Sequence, residues 1–267
     1  MDSMTNMQQL RRGLSGSTLK LIAVISMFID HTGAAILGRM LLTRTYINTQ
    51  AYTVWVTNYS ALHSIYRLMR DIGRIAFPIY CFLLVEGFLR TRDAKKYAMR
   101  LGAFALVSEV PFDLAFKARV LEGRYQNVFF TLFLGLLTMM AVDWVYRNVW
   151  DENRTLRRIV CPMIAAAAVL VGCLAAHFLH TDYGAKGIMC IMVLYLTRRW
   201  KPVQLLAGAI AFLWEVPAPV AFVPVAIYNG KRGLRLKYLF YAFYPAHLLL
   251  LYLVSFFLGF SEIAVFG

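Results

Sequence analysis

Residues 19–40 read LKLIAVISMFIDHTGAAILGRM, an apolar run interrupted near its middle by Asp30 and His31. A helix rising 1.5 Å per residue over this length crosses the roughly 30 Å hydrocarbon core of a bilayer. The run follows the basic residues Arg11, Arg12 and Lys20, yet it is too long for a signal peptide and lacks a small-residue cleavage pattern. It is expected to stay in the mature protein as the first helix. An ionised side chain at mid-membrane costs roughly 2.5–3.5 kcal/mol on insertion scales, so Asp30 and His31 need a partner or a task.

The rest of the chain repeats the pattern. Of 267 residues, 60% are hydrophobic and only 16% charged, with a mean hydropathy of +0.59, well beyond the roughly 45–50% apolar usage of soluble domains. Further apolar runs occupy Ile72–Phe88, Tyr97–Phe116, Asn127–Tyr146, Val160–Phe178, Asp182–Leu196 and Tyr238–Leu258. Between the last two, Pro202–Tyr228 is broken by Pro217, Pro219 and Pro224. These features predict an all-α, polytopic transmembrane helical bundle of about seven full spans, with a Pro-broken hairpin, short or re-entrant, before the last helix. The expected organisation is a cytoplasmic segment 1–18, a single transmembrane domain 19–258 and a short tail 259–267.

The net charge of +14 is carried in the connections and reads as a topology signal in the lipid bilayer; no nucleic-acid partner is implied. Arg90, Arg92, Lys95, Lys96 and Arg100 form one cluster. Arg147, Arg154, Arg157 and Arg158 form a second, Arg198, Arg199 and Lys201 a third, and Lys231, Arg232, Arg235 and Lys237 a fourth. With the basic amino-terminal stretch, they alternate as cytoplasmic loops do, which puts the amino terminus inside and the carboxyl terminus outside. The long connection Leu41–Asp71, with Arg44, Arg67 and Arg70, falls outside on this count. Cys81, Cys161, Cys173 and Cys190 lie in apolar runs without metal-ligand spacing, so they read as packing residues and no metal is expected.

The candidate site is the set of ionisable groups at membrane depth. Successive helical residues point about 100° apart, so Asp30 does not clamp His31 across a turn and the two face neighbouring elements. His247, in Tyr244-Pro245-Ala246-His247, lies at a similar depth in the last helix. Arg70, Asp71 and Arg74 open the second span, and Glu109 and Asp113 sit one turn apart around Pro111. Asn127 opens the fourth span, and Asp182 the sixth, where an N-cap role is expected for it. On this topology Arg74, Glu109, Asp113, Asn127 and Asp182 lie in the outer half and, with His247 at mid-membrane, are the substrate-binding candidates. Interhelical bonding is the competing reading for the acids. Glu86 and Glu215 lie where snorkelling to water makes a carboxylate inexpensive.

Ile29-Asp30-His31, Gly73-Arg74-Ile75-Ala76-Phe77-Pro78, Glu86-Gly87-Phe88, Ser108-Glu109-Val110-Pro111-Phe112-Asp113, Asn127-Val128-Phe129-Phe130-Thr131, Asp182-Tyr183-Gly184 and Tyr228-Asn229-Gly230-Lys231-Arg232-Gly233 resemble, in order and spacing, the TraX family of bacterial membrane proteins. The likeness runs over roughly Leu19–Val254. That family is named for acetylation of the amino terminus of conjugative pilin and is similar to membrane acyltransferases that draw on cytoplasmic acyl-CoA. The resemblance implies an acetyltransferase of the bacterial cytoplasmic (inner) membrane, using acetyl-CoA as acyl donor and a peptide, glycan or small metabolite as acceptor.

A neutral imidazole is suited to take the proton of an attacking amine or hydroxyl, which makes His31 the candidate general base. Asp30 is its catalytic companion, orienting an imidazole or stabilising a neighbouring arginine. Arg90, Arg92, Lys95 and Lys96 form the cluster suited to the phosphates of coenzyme A. Arg74 is suited to an acceptor carboxylate, to an oxyanion, or to pairing with Asp71, Glu109 or Asp113. No Gly-rich nucleotide loop or nucleophile elbow is present, so direct transfer is expected rather than a covalent acyl-enzyme. A proton-coupled transporter is the rival reading, because it places the same acids and histidines at the same depth.

Overall fold

Ten helices are seen in the computed structural model, which describes residues 13–42, 49–148, 154–234, 237–259 and 261–265. In chain order they are α1 (Gly16–Leu42), α2 (Thr49–Gly73), α3 (Ala76–Arg90), α4 (Ala94–Lys117), α5 (Val128–Asn148), α6 (Arg154–Phe178), α7 (Gly184–Leu196), α8 (Lys201–Ala211), α9 (Phe222–Ala226) and α10 (Lys237–Phe257). A 3-10 turn over Ala218–Ala221 precedes α9. Among the described residues, β pairing is confined to two isolated bridges, Leu14 with Tyr228 and Gln126 with Thr181. Arg11, Arg12, Arg44 and Arg235, and the side chains of Arg154 and Lys237, lie outside the described residues.

Among the described residues, five helical stretches are long and apolar enough to cross a membrane: Gly16–Leu42, Asn58–Arg90, Val128–Asn148, Arg157–Phe178 and Leu239–Phe257. The other two expected spans differ for separate reasons. α4 has 24 residues, but Lys95, Lys96, Arg100, Glu109, Asp113 and Lys117 dilute its apolar character. α7 has 13 residues and reaches only about 20 Å at 1.5 Å per residue. The expected outer connection before Asp71 is largely the helix α2, amphipathic and continuous to Gly73. The Pro-broken segment is broken as expected, into α8, the 3-10 turn and α9. Met163, Leu170, Val171 and Leu174 of α6 are exposed, the surface that lipid covers in a spanning helix.

Packing divides the chain into two compact units, two of whose boundaries fall inside α3 and α4 and two in the connections after α4 and α8. The first comprises Met1–Tyr80, Ser108–Glu122 and Phe212–Gly267, and the second Cys81–Val107 and Gly123–Ala211.

In the first unit, α1 packs on α2 through small residues. A methyl at Gly33 would come within 2.9 Å of Met69 Cβ, and one at Gly38 within 3.4 Å of the Tyr66 ring, so glycine is what lets these helices approach. Residues Gly33–Gly38 are wound as a π-helix. The Ser255 hydroxyl of α10 lies 3.1 Å from the Ala35 carbonyl within that stretch and 2.9 Å from its own Leu251 carbonyl, so one donor is shared between the irregular turn and its own helix. At the start of α1, the N–H groups of Gly16 and Ser17 have no intrahelical acceptor; they donate to the carbonyls of Lys231 and Arg232 at 2.8 and 3.0 Å. The Tyr228–Gly233 segment is thereby a main-chain cap for the first helix. Gly233 has a φ of +72° and lies against Ser15 and Ser17, which accounts for a glycine there.

Arg39 is fully buried near the end of α1. Its Nε donates to the Ile263 carbonyl at 2.8 Å and its Nη2 to the Leu114 carbonyl at 3.0 Å, while Val265 N–H donates to Phe116 O at 2.7 Å. The segment after α10 is therefore bonded to both α1 and the end of α4.

In the second unit, α5, α6 and α7 pack together, with Gly172 against Thr138 and Gly135 against Ile191. Cys81, Cys161 and Cys190 are buried and Cys173 half-buried, all four as free thiols, as their apolar settings lead one to expect.

Removing residues 261–267 is expected to destabilise the detergent-solubilised protein by about 1–3 kcal/mol, because a buried guanidinium loses an acceptor. Arg39→Met should then cost less in the shortened chain than in the full one. Equal costs in thermal melts of the two backgrounds would exclude the Ile263 bond as the contact that matters.

Candidate functional site

The first unit gathers its polar groups where three helices are interrupted. α1 carries Asp30 and His31 immediately before its π-wound stretch, and such stretches commonly accompany functional sites. α2 ends at Gly73 because Pro78 has no N–H to offer the Arg74 carbonyl, so the helical ladder stops and restarts at Ala76. That break displays Arg70 and Arg74 at the end of α2. α10 contains Pro245 two residues before His247, which likewise deprives the preceding turn of a bond.

Arg70 Nη1 donates to Asp30 Oδ2 at 2.9 Å, with both side chains 16% exposed. Gly73 lies so close to Asp30 that a methyl there would overlap the carboxylate. His31 Nε2 is 4.0 Å from the same Oδ2, and His31 Nδ1 is 2.7 Å from His247 Nε2. The two imidazoles are nearly coplanar, at 7°, with centroids 5.0 Å apart. With nitrogens only 2.7 Å apart, they meet edge to edge in one plane rather than face to face. His247 Nδ1 lies 2.8 Å from the Phe243 carbonyl. Phe116 and Tyr244 meet the His31 ring edge-on at 5.2 and 5.9 Å, and Phe28 and Phe243 flank His247. His31 keeps 14% of its side chain exposed, whereas His247 is buried.

Asp30 is thus ion-paired with Arg70. Arg74 bonds to Glu215, which corrects the reading of Glu215 as a carboxylate snorkelling to water: it is only 10% exposed. Glu86 is likewise engaged, 2.7 Å from Arg90 one turn on. Asp113 is fully buried and accepts from the Glu122 N–H at 2.7 Å, fixing the loop after α4, while Glu109 sits half-buried one turn earlier.

The remaining candidates belong to the second unit. Asn127 donates from Nδ2 to the Ala105 carbonyl at 2.8 Å and accepts from Phe129 N–H at 3.0 Å, so it caps α5 and ties it to α4. The expected N-cap role of Asp182 is not what is found. Tyr183 occupies the N-cap of α7 without a side-chain bond, and the Asp182 carboxylate accepts instead from the Tyr125 hydroxyl. Arg90, Arg92, Lys95 and Lys96 cluster, exposed, at the end of α3 and the start of α4. Asp93 between them accepts from the Lys96 N–H at 2.9 Å, and this bond holds its carboxyl below the usual range. The stability that this cap lends is present above the ordinary carboxylate pKa and is lost as pH falls through the lowered value. Among the described residues, no group of three or more His, Cys, Asp or Glu side chains is placed to hold a metal ion.

Sequence reasoning missed Arg70 as the partner of Asp30, Glu215 as the partner of Arg74, and Arg39 altogether. The i,i+4 spacing of Arg70 and Arg74 was the available signal, since a helical reading of the sequence puts both on one face.

These features define a polytopic helical membrane protein with two histidines paired between two candidate spanning helices, α1 and α10. The chain belongs to the TraX family: the family described as TraX protein matches residues 15–255. It is also similar to the probable fimbrial assembly protein FimC, serogroup H1, of Dichelobacter nodosus, at 27% identity, covering 89% of this chain and 94% of that one. No solved structure matches it.

Arg70→Met should leave the Asp30 carboxylate without its cation and destabilise the fold by roughly 3 kcal/mol, the lower end for a buried pair. Asp30→Asn combined with Arg70→Met should recover most of that loss. Additive melts for the single and double variants would show the pair to be energetically idle. Gly73→Ala should cost about 1–3 kcal/mol by crowding Asp30.

Proposed function

We propose that the protein is an integral membrane acetyltransferase that moves an acetyl group from acetyl-CoA to an acceptor amine or hydroxyl, with His31 as general base. The observation that carries this reading is the placement of His31. It is partly accessible at mid-helix, bonded through one ring nitrogen to His247, with its other nitrogen facing the Asp30–Arg70 pair. A base needs a fixed ring, one unobstructed nitrogen and a nearby negative group for the cation it becomes. In the transfer, the acceptor nitrogen or oxygen bonds to the thioester carbonyl carbon as its proton passes to His31. The carbon–sulfur bond breaks, and the proton is returned to the departing thiolate.

The exposed cations Arg92 and Lys95, with Arg90 and Lys96, form a donor set suited to the phosphates of coenzyme A. Membership of a family linked to pilin modification, and a relative named for fimbrial assembly, favour a peptide amino terminus over a glycan or small metabolite as acceptor. In this reading the protein is a multi-pass resident of the bacterial inner membrane, with a cytoplasmic amino terminus and an external carboxyl terminus. α4 and α7 then complete seven spans of one transmembrane domain. Arg74, paired with Glu215, would meet a charged group of the acceptor only by exchanging that partner.

The rival proton-coupled transporter needs a route onward from the histidines. From His247 the chain of bonds leads to the Phe243 carbonyl, which accepts a hydrogen bond but does not carry a proton further. That favours an enzyme.

The test is transfer of label from radiolabelled acetyl-CoA by the purified protein. His31→Asn should lower turnover by about 10²–10⁴-fold with expression unchanged. Neutralising Arg92 and Lys95 together should raise the KM for acetyl-CoA and leave kcat near that of the parent. Absence of both labelling and acetyl-CoA binding by the wild type would return the transporter to first place.

A further inference from the structure

We propose that His247 is a positioning residue that fixes the tautomer of His31, holding its proton on Nδ1 and leaving the lone pair on Nε2; as a statement about catalysis this rests on the transferase reading above.

The argument is a count of donors and acceptors along one line of bonds. A main-chain carbonyl only accepts, so the 2.8 Å contact between His247 Nδ1 and Phe243 O requires the proton on His247 Nδ1. A neutral imidazole carries one N–H, so His247 Nε2 is then an acceptor. The 2.7 Å contact between His247 Nε2 and His31 Nδ1 therefore requires His31 to donate from Nδ1. A His31 that is to act as base is neutral, and its lone pair falls on Nε2. This is the nitrogen 4.0 Å from Asp30 Oδ2, beside the Arg70 guanidinium that balances that carboxylate.

Each link is held by its own element. Residues 243–247 lie within α10, one turn apart, so the Phe243 carbonyl and the His247 ring are neighbours in a single helix. The rings of Phe243 and Phe28 hold the His247 ring in its plane, the former at 4.7 Å and 13°, the latter edge-on at 6.1 Å. Phe116 and Tyr244 do the same for His31. When His31 Nε2 takes the acceptor's proton, the new cation has the Asp30 carboxylate at hand and keeps its Nδ1–H bond to His247. Neither step requires the rings to turn. Sequence placed His247 among the residues that bind the acceptor; buried behind His31, it acts through that ring.

The test has one arm that is independent of activity. Nitrogen-15 spectra of the full chain in detergent, labelled at the histidine rings, are compared with those of His31→Asn to identify the His31 signals. In the wild type, His31 should show a protonated Nδ1 and an unprotonated Nε2. A protonated Nε2 in the neutral ring overturns the proposal. In His247→Leu the tautomer constraint is lost and kcat should fall on the order of 10²-fold, with the KM for acceptor and for acetyl-CoA unchanged. His247→Gln offers an amide oxygen where Nε2 lies and should recover most of the turnover and the His31 tautomer. A raised acceptor KM with kcat intact in His247→Leu overturns the proposal and makes His247 an acceptor-binding residue. If the wild type transfers no acetyl group, the transferase reading fails while the spectra still decide the tautomer.

Discussion

The Asp30–Arg70 ion pair sets the terms on which the first unit folds. A carboxylate in the middle of an apolar helix is expensive on its own, and its cost is offset when a guanidinium meets it in good geometry. Bringing Arg70 to 2.9 Å requires the end of α2 to lie almost on top of α1. Gly73 permits that approach, since any side chain there would occupy the space of the Asp30 carboxylate. Gly33 and Gly38 extend the same close seam along α1. Glycines and ion pair thus form a single device: without the glycines the charges do not meet, and without the charges the close approach has little to stabilise it.

A second constraint is main-chain accounting in an environment short of water. Helices here are interrupted repeatedly, and the groups released are taken up by neighbours. The Ala35 carbonyl is bonded by Ser255, the first N–H groups of α1 are received by carbonyls of Lys231 and Arg232, and the end of α4 is bonded by Arg39 and Val265. These interruptions lie beside the candidate site: Arg74 stands in the break between α2 and α3, and His31 and His247 lie two residues from the π-wound stretch and from Pro245. The histidines profit from a helix irregular enough to aim them and bonded well enough to hold them.

Within this frame, charges at membrane depth have divided labour. Asp30 and Arg70 neutralise one another while presenting a polar edge to His31, Arg74 and Glu215 form a separate pair, and Asp113 secures a loop. Under the proposed transferase function, that division distinguishes a base site from a conduit. A conduit passes protons along titrating groups, whereas this line of imidazoles terminates on a peptide carbonyl. A terminated line is what orients a base.

The sequence by itself determined the class. An apolar content of 60%, runs of bilayer length and clusters of basic residues between those runs leave a polytopic helical protein as the only comfortable state for this chain. Asp30, His31 and His247 were equally legible as oddities, because ionisable groups in apolar helices contradict their surroundings whatever the fold. What only the tertiary structure decided is pairing. Asp30 and Arg70 are 40 residues apart, and His31 and His247 are 216 apart. No helical periodicity links positions so distant, and glutamate or aspartate at several other sites offered Arg74 equivalent charge. The same limit hid Arg39, whose acceptors are main-chain carbonyls and leave no mark on composition. It also misplaced Asp182, whose position before a helix suits a cap as well as it suits a tyrosine hydroxyl. Residue type and spacing report what a side chain is able to do; the packing of α1, α2 and α10 selects which partner it finds.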